Sequence, residues 1–262
     1  MPRVFRLTLL AAVLALAPSC SAATVRTTPV RASNAMLRGV AWPVASVADA
    51  ESLATRLGFE RLLEMGHRWS QTARLENGAL LWYAAGRDTS FRARAGSAVL
   101  PLFTGLPPGA IGGLPVGQWN APEGKAMPHP NGAIELVRVT AVVASLDGAC
   151  AAWERHGVKF GRRFTDPRHA RPAREATLQD GRVVRFVAAN SKAGAATDLA
   201  LRWVGFTIAV NELKSASAHL RKSGVAVSCM DEAERPQRCR VDVGDVLGVE
   251  IELVPSSAGS PR

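Results

Sequence analysis

Apolar and polar positions along this chain follow one pattern three times over. An apolar run of strand length is followed by a stretch with helical spacing, then a glycine, then shorter stretches of alternating apolar residues. The first copy predicts a strand over 37–45, a helix over 47–57 stopped by Gly58, and strands over 59–64, 70–75 and 79–84, with Asn77-Gly78 as a hairpin turn. The second predicts a strand over 133–144, a helix over 146–156 stopped by Gly157, and strands over 158–164, 173–178 and 183–188, with Asp180-Gly181 as the turn. The third predicts a strand over 201–210, a helix over 212–222 stopped by Gly224, and strands over 225–229, 239–243 and 249–254. The strand-to-helix junctions are themselves alike: Val44-Ala45-Ser46-Val47, Val143-Ala144-Ser145-Leu146 and Val210-Asn211-Glu212-Leu213.

Each unit therefore reads as βαβββ, and the fold class as α+β with three copies. One helix on one face of a small sheet leaves the opposite face uncovered, so the units are expected to pair. The short linker 190–197 favours packing of the second unit on the third. Residues 86–133 break the pattern. Pro107-Pro108-Gly109, Gly112-Gly113, Pro115 and Pro122 predict a long irregular arm around one apolar strand over 99–103. The first unit must then be covered by that arm or by a second copy of the chain in a homodimer.

The divisions that follow are a targeting segment at 1–23, a tether at 24–36, the first unit with its arm at 37–133, the second at 134–190, the third at 201–254 and a tail at 255–262. Arg3 and Arg6 precede a short apolar run ending at Pro18, and Ser21-Ala22-Ala23 supplies small residues for cleavage. This predicts an exported, periplasmic protein. Cys20 leaves lipid anchoring as an alternative, although Ala17-Pro18-Ser19 before it is a poor lipobox. No other apolar run is long enough for a membrane helix.

Cleavage would leave Cys150, Cys229 and Cys239. Cys229 and Cys239 bound one polar loop between strands, and a cross-strand disulfide is expected there in an oxidising compartment. Cys150, among alanines in a helix, reads as a buried thiol. The net charge of +10 admits a solvated basic surface or an anionic partner. Nucleic acid is disfavoured: the chain has 1 Tyr, dispersed basic residues and no known nucleic-acid-binding pattern.

The strand-helix openings, the Asn77-Gly78 and Asp180-Gly181 turns, Leu100-Pro101-Leu102-Phe103, His129-Pro130-Asn131-Gly132-Ala133 and the closing Asp245-Val246-Leu247-Gly248-Val249-Glu250-Ile251-Glu252-Leu253 together resemble the vicinal oxygen chelate superfamily. This is the glyoxalase and bleomycin-resistance fold, and the likeness is to its glyoxalase-like domain group over about residues 37–254. The resemblance implies sheets paired around a cup. In the metal enzymes of that superfamily, His, Gln or Glu on the first strand and Glu on the last strand of each unit hold a divalent ion. Here the first-strand positions fall on Gly39, Arg138 and Gly205, and the last-strand positions on Trp82, Arg185 and Glu252. Among these only Glu252 can ligate a metal, so neither metal nor other cofactor is expected.

Candidate ligand-binding residues are therefore Arg138, Arg185, Glu252 and Trp82. Two guanidinium forks suit a carboxylate or phosphate, or else pair with Glu252 as structural ions. Trp42, Trp82 and Trp119 would line an apolar ligand wall or pack in the core. His67 and His129 are candidate acid-base groups beside Glu252, and His169, in a basic loop, reads as solvated. The leading expectation is a metal-free binder of a small anionic or aromatic molecule. The alternatives are a lyase, isomerase or hydrolase using Glu252 and a loop histidine, and a structural or interaction module with a filled cup.

Overall fold

The computed structural model describes residues 34–44, 47–60, 70–84, 99–119, 125–189, 201–230, 238–243 and 249–256. The chain begins with β1 (Met36–Val44), α1 (Val47–Arg56), β2 (Ser70–Leu75) and β3 (Gly78–Ala84). Next come β4 (Leu100–Thr104), β5 (Gly109–Ile111) and β6 (Leu114–Gln118). The second repeat supplies β7 (Ala133–Val143), α2 (Leu146–Glu154), β8 (Phe164–Asp166), β9 (Arg171–Thr177) and β10 (Val183–Ala188). The third supplies β11 (Leu201–Val210), α3 (Leu213–Lys222), β12 (Ala226–Met230), β13 (Arg238–Asp242) and β14 (Glu250–Pro255). The protein is thus α+β and strand-rich, with few helices.

Local chemistry explains the junctions. Ser145 caps α2, its Oγ accepting from the Gly148 N–H at 3.1 Å. Among the described residues the three helices stop where a glycine turns to positive φ, at Gly58, Gly157 and Gly224. The expected strand over 158–164 is replaced by an extended but largely unpaired approach to β8. Val158 and Phe160 are buried, and the Gly161 N–H donates to the Glu175 carbonyl at 2.7 Å. The part of the expected strand 59–64 beyond Glu60 falls outside the described residues.

Two sheets result. One has eight strands in the order β12-β13-β14-β11-β7-β10-β9-β8. In each half the first strand runs parallel to the last, β7 with β10 and β11 with β14. The halves join by antiparallel pairing of β7 with β11. The other sheet has six strands in the order β2-β3-β1-β4-β6-β5.

The arm therefore needs correction. It contains three strands rather than one within a long loop. β4 is antiparallel to β1, as β11 is to β7, and β6 returns parallel to β4 with β5 antiparallel to it. No helix lies between β4 and β6. Of the Pro and Gly residues that suggested irregularity, Pro107, Pro108, Gly109, Gly112, Gly113 and Pro115 sit at its turns and on its short strands, and Pro122 lies outside the described residues. Pro115 stands on β6 opposite Ala110.

The apolar faces of the two sheets share one core. Trp42 of β1 meets Phe206 of β11 edge-on at 5.8 Å. Trp153 of α2 is fully buried. Its indole N–H donates to the Ile111 carbonyl at 3.2 Å, and its ring meets Phe103, Phe186 and Trp203 edge-on at 5.5–5.8 Å. Trp203 donates in turn to the Pro115 carbonyl at 2.7 Å. The inner face of the six-stranded sheet, with Val40, Trp42 and Leu80, is thus covered within one chain. Cys150 of α2 lies in the same core, where burial pushes its thiol up to about 11.

Cys229 and Cys239 are direct register partners on β12 and β13 and form a disulfide, Cα to Cα 4.0 Å.

Because Trp153 ties both sheets together, Trp153→Ala is expected to destabilise the protein by about 3–5 kcal/mol. Urea denaturation followed by circular dichroism checks this. A loss near 1 kcal/mol would mean that the core does not depend on this ring.

Candidate functional site

Alternation along the strands sends every second residue of the eight-stranded sheet to the face opposite the core. On β7 these are Arg138 and Thr140, flanking the core residue Val139, and on β10 Arg185 lies between the core residues Val184 and Phe186. On β11 and β14 they are Gly205 with Glu250 and Thr207 with Glu252. Gly205 has no room for a side chain, because a Cβ there would collide with the Glu250 carbonyl. That lets β11 and β14 close up at the centre of the floor.

These residues form one charged network. The Arg138 guanidinium donates to Glu252 Oε2 in a close contact, and Thr207 Oγ1 donates to the same oxygen at 3.2 Å. Arg138 also lies 3.8 Å from Glu175. Arg185 donates to Glu175 at 2.6 Å and to Asp166 at 2.7 Å. Asp166 ends β8 and is completely buried. Its Oδ1 accepts from the backbone N–H groups of Arg168 and His169 at 3.0 and 2.8 Å, and stands 2.8 Å from the His169 ring. The turn after β8 thereby folds over the floor toward β14. There His169 Nε2 lies 3.3 Å from Glu250, and Arg168 lies 3.1 Å from the same carboxylate.

The electrostatics follow from these contacts. Hydrogen bonds to Asp166 and Glu250, on either side of the ring, raise His169 to about 9, so it is an imidazolium at neutral pH. Burial would push Asp166 upward, but the His169 hydrogen bonds and the Arg185 charge hold it well below the usual carboxylate range. Glu250 is likewise lowered against its burial by His169 and Arg168. Burial, then the neighbouring Arg185 charge, lowers Arg138. The cavity left among these groups is about 10 Å³, room for roughly one water.

Arg138, Arg185 and Glu252 are thus brought together. The other candidates are not. His129 is a clip: its Nδ1 accepts from the Glu60 N–H at 3.1 Å, its Nε2 donates to the Arg74 carbonyl at 2.9 Å, and burial lowers its pKa. Asn131 continues the clip, donating to the Leu57 carbonyl at 2.6 Å. Trp82 needs a correction of one position. The register sets Leu81 opposite Ala41, as Arg185 is opposite Thr140 and Glu252 opposite Thr207, whereas Trp82 is opposite the core residue Trp42. The first hairpin is one residue shorter than the spacing suggested, and the Trp82 side chain itself lies outside the described part. His67 falls outside the described residues. His169, expected to be solvated, is instead a bridge at the centre of the network. The sequence signal for it was Asp166-Pro167-Arg168-His169, a turn whose first carboxylate can take the backbone N–H groups and ring two and three residues on.

One solved structure shares this architecture over most of the chain. A xylose isomerase-like TIM barrel/4-hydroxyphenylpyruvate dioxygenase fusion protein matches 90% of the chain over 51% of its own length, with 12% identity and a TM-score of 0.59. Methylmalonyl-CoA epimerase from Mycobacterium tuberculosis is matched over 90% of its length by 48% of this chain, with 18% identity and a TM-score of 0.40. The chain has the vicinal oxygen chelate fold. No protein-family model matches the chain, and no curated protein does.

At the strand positions that the resemblance implies for metal ligands, the residues here do not fit a divalent ion. Gly39 and Gly205 bring no donor. Arg138 and Arg185 bring positive charge to the floor, and Arg138 occupies the one carboxylate in place, Glu252. Among the described residues, no group of three or more His, Cys, Asp and Glu could hold a metal ion.

Two outcomes follow. Glu252→Ala leaves Arg138 buried without its partner and is expected to cost about 3–5 kcal/mol, whereas Arg138→Met with Glu252→Leu recovers most of that loss; chemical denaturation of the three proteins measures it. His169 is raised in the folded state above its unfolded value of 6.5. Its contribution is therefore fully present below pH 6.5 and is lost as pH rises through about 9. The unfolding free energy should fall across that window in the natural protein, and the fall should flatten in His169→Gln.

Proposed function

We propose that this protein is exported and binds a small anionic molecule in the cup of the eight-stranded sheet, without a metal and without making or breaking bonds in it. The observation that carries this reading is the origin of the counter-charges. Arg138, Arg168, Arg185, His169, Arg238 and Arg240 face or border the cup, against the carboxylates of Asp166, Glu175, Glu250 and Glu252. Cations outnumber anions. Moreover, Asp166, which neutralises Arg185, ends β8, the edge strand of the sheet, where the turn 167–170 begins. When that edge moves away, Arg185 is left with one carboxylate fewer, and a ligand carboxylate or phosphate can take its place. Ala170 in the same turn stands at φ 50°, a left-handed conformation that costs a Cβ-bearing residue about 1–2 kcal/mol. Export is supported by the N-terminal segment and by the facing cysteines on β12 and β13.

A filled scaffold is the second reading, favoured by the cavity of about 10 Å³. Catalysis by Glu252 with a loop histidine is not favoured, because Glu252 is engaged by Arg138 and Thr207 and His129 is occupied elsewhere.

Calorimetric titration with small aliphatic carboxylates and with inorganic phosphate separates the two. The binding reading expects saturable binding that tightens at least tenfold in Asp166→Asn and disappears in Arg185→Gln. Absence of binding to the natural protein and to a folded Asp166→Asn variant would leave the scaffold reading standing alone.

A further inference from the structure

The turn 167–170 meets a part of the eight-stranded sheet that the strand order keeps far from it. It follows β8, at one edge, whereas β14 is third from the other edge. Five inter-strand steps separate the two, about 24 Å in a flat sheet. Yet Arg168 Nε lies 3.1 Å from Glu250 and His169 Nε2 lies 3.2 Å from it. The sheet has curled until a turn of the second repeat reaches a strand of the third across the cup. Both side chains land on one carboxylate, opposite Gly205 in the β11–β14 register.

The His169 ring is the part of this contact that a proton controls. Its Nδ1 stands 2.8 Å from Asp166 and its Nε2 3.2 Å from Glu250, with a carboxylate oxygen at each end. A carboxylate ion only accepts, so both hydrogen bonds require both ring nitrogens to carry hydrogen. A neutral ring keeps one. Asp166 is three residues back, at the start of the same turn, and binds that turn through two backbone N–H groups as well. The remaining hydrogen therefore stays on the Asp166 side. A lone pair then faces Glu250, and a charge-assisted bond across the cup is lost.

We propose that the turn 167–170 is a latch across the cup, closed while His169 is an imidazolium and released when the ring loses a proton. The latch would then decide when Arg185 becomes open to a ligand; that consequence rests on the anion-binding reading, whereas the latch itself does not. The charged groups around the ring set the direction. Hydrogen bonds to Asp166 and Glu250 raise it against its burial, to about 9. Arg185 of β10 pairs with Asp166 and with Glu175 of β9. Against its burial, Glu250 is lowered by His169, by Arg168 and by Arg240 of β13. Glu252, further along β14, is held by Arg138. A released ring keeps Asp166 but loses Glu250, so its proton affinity falls back toward the unfolded value of 6.5. Closure is thus favoured most below pH 6.5 and weakens as pH rises through about 9. Arg168 keeps its charge throughout, so part of the latch survives at every pH.

Hydrogen exchange of the full chain measures opening without a ligand. It is read by mass spectrometry on a peptide spanning 164–175 and corrected for the intrinsic pH dependence of exchange. Protection there should fall at least tenfold between about pH 6.5 and 9.5 in the natural protein. In His169→Gln it should change less than twofold, and in Glu250→Gln it should already be low at the acid end. Peptides from α2 report whether each variant keeps its fold. Protection that stays constant with pH, or that falls as far in folded His169→Gln, overturns the latch. Calorimetric titration with acetate at the same two pH values tests the binding reading separately. Acetate binding at least fivefold tighter at the alkaline end, and independent of pH in His169→Gln, supports a latch over the anion site. Equal acetate binding at both ends overturns the guarding role. No acetate binding at either end, with exchange that follows pH as described, removes the binding reading and supports the latch alone.

Discussion

The antiparallel pairing of β7 with β11 is the constraint on which the rest of the structure depends. Each of these strands is the first of its own repeat, and each runs parallel to the last strand of that repeat. Joining them edge to edge makes one sheet of eight strands from two of four, and sets Arg138 opposite Thr207. Thr207 is itself opposite Glu252, so a single register decides that the guanidinium of one repeat meets the carboxylate of the next. A slip of one residue would send Arg138 into the core and Val139 into the cup.

The same geometry recurs on a reduced scale where β4 pairs with β1. The partner unit has kept the parallel β4–β6 pair and the β5–β6 hairpin but no helix. α2 of the second repeat packs beside β5, where its Trp153 donates to the Ile111 carbonyl. That contact helps to bind the two sheets into one core.

The two outward faces have diverged in a way that the register makes plain. Where the eight-stranded sheet carries Arg138, Arg185 and Glu252, the six-stranded sheet carries Gly39, Ala41 and, at the register position of Arg185, Leu81. One face is a closed lattice of ion pairs capped by the turn at Asp166–Ala170. The other is an apolar floor of Ala41, Leu100 and Leu102 with Trp119 packed against it. Burial of paired charges adds little net stability over apolar packing, which makes the first face a costly way to fill space.

By itself, the sequence determined the repeated strand-helix-strand order, the glycines that end the helices, the two hairpin turns and the facing cysteines. All of these depend on residues within a few positions of one another or on a period of 2 or 3.6. It also pointed to Arg138, Arg185 and Glu252, through the strand positions that the resemblance to the vicinal oxygen chelate superfamily implies for metal ligands. Counting to those positions misplaced Trp82 by one residue, since a hairpin's length is set by its partner strand and not by its own glycine. The arm was legible only in part: its strand at 99–103 was read, but β5 and β6 are short and rich in Pro and Gly, and only pairing with each other and with β4 makes them strands. Only the tertiary structure decided that His129 is a clip, held by backbone groups 55 and 69 positions away in the chain. It alone showed that His169 bridges Asp166 and Glu250, 3 and 81 positions away. The physical reason is the same in both cases: a histidine's role is set by what stands at its two ring nitrogens, and those partners arrive from distant parts of the chain when the sheets close.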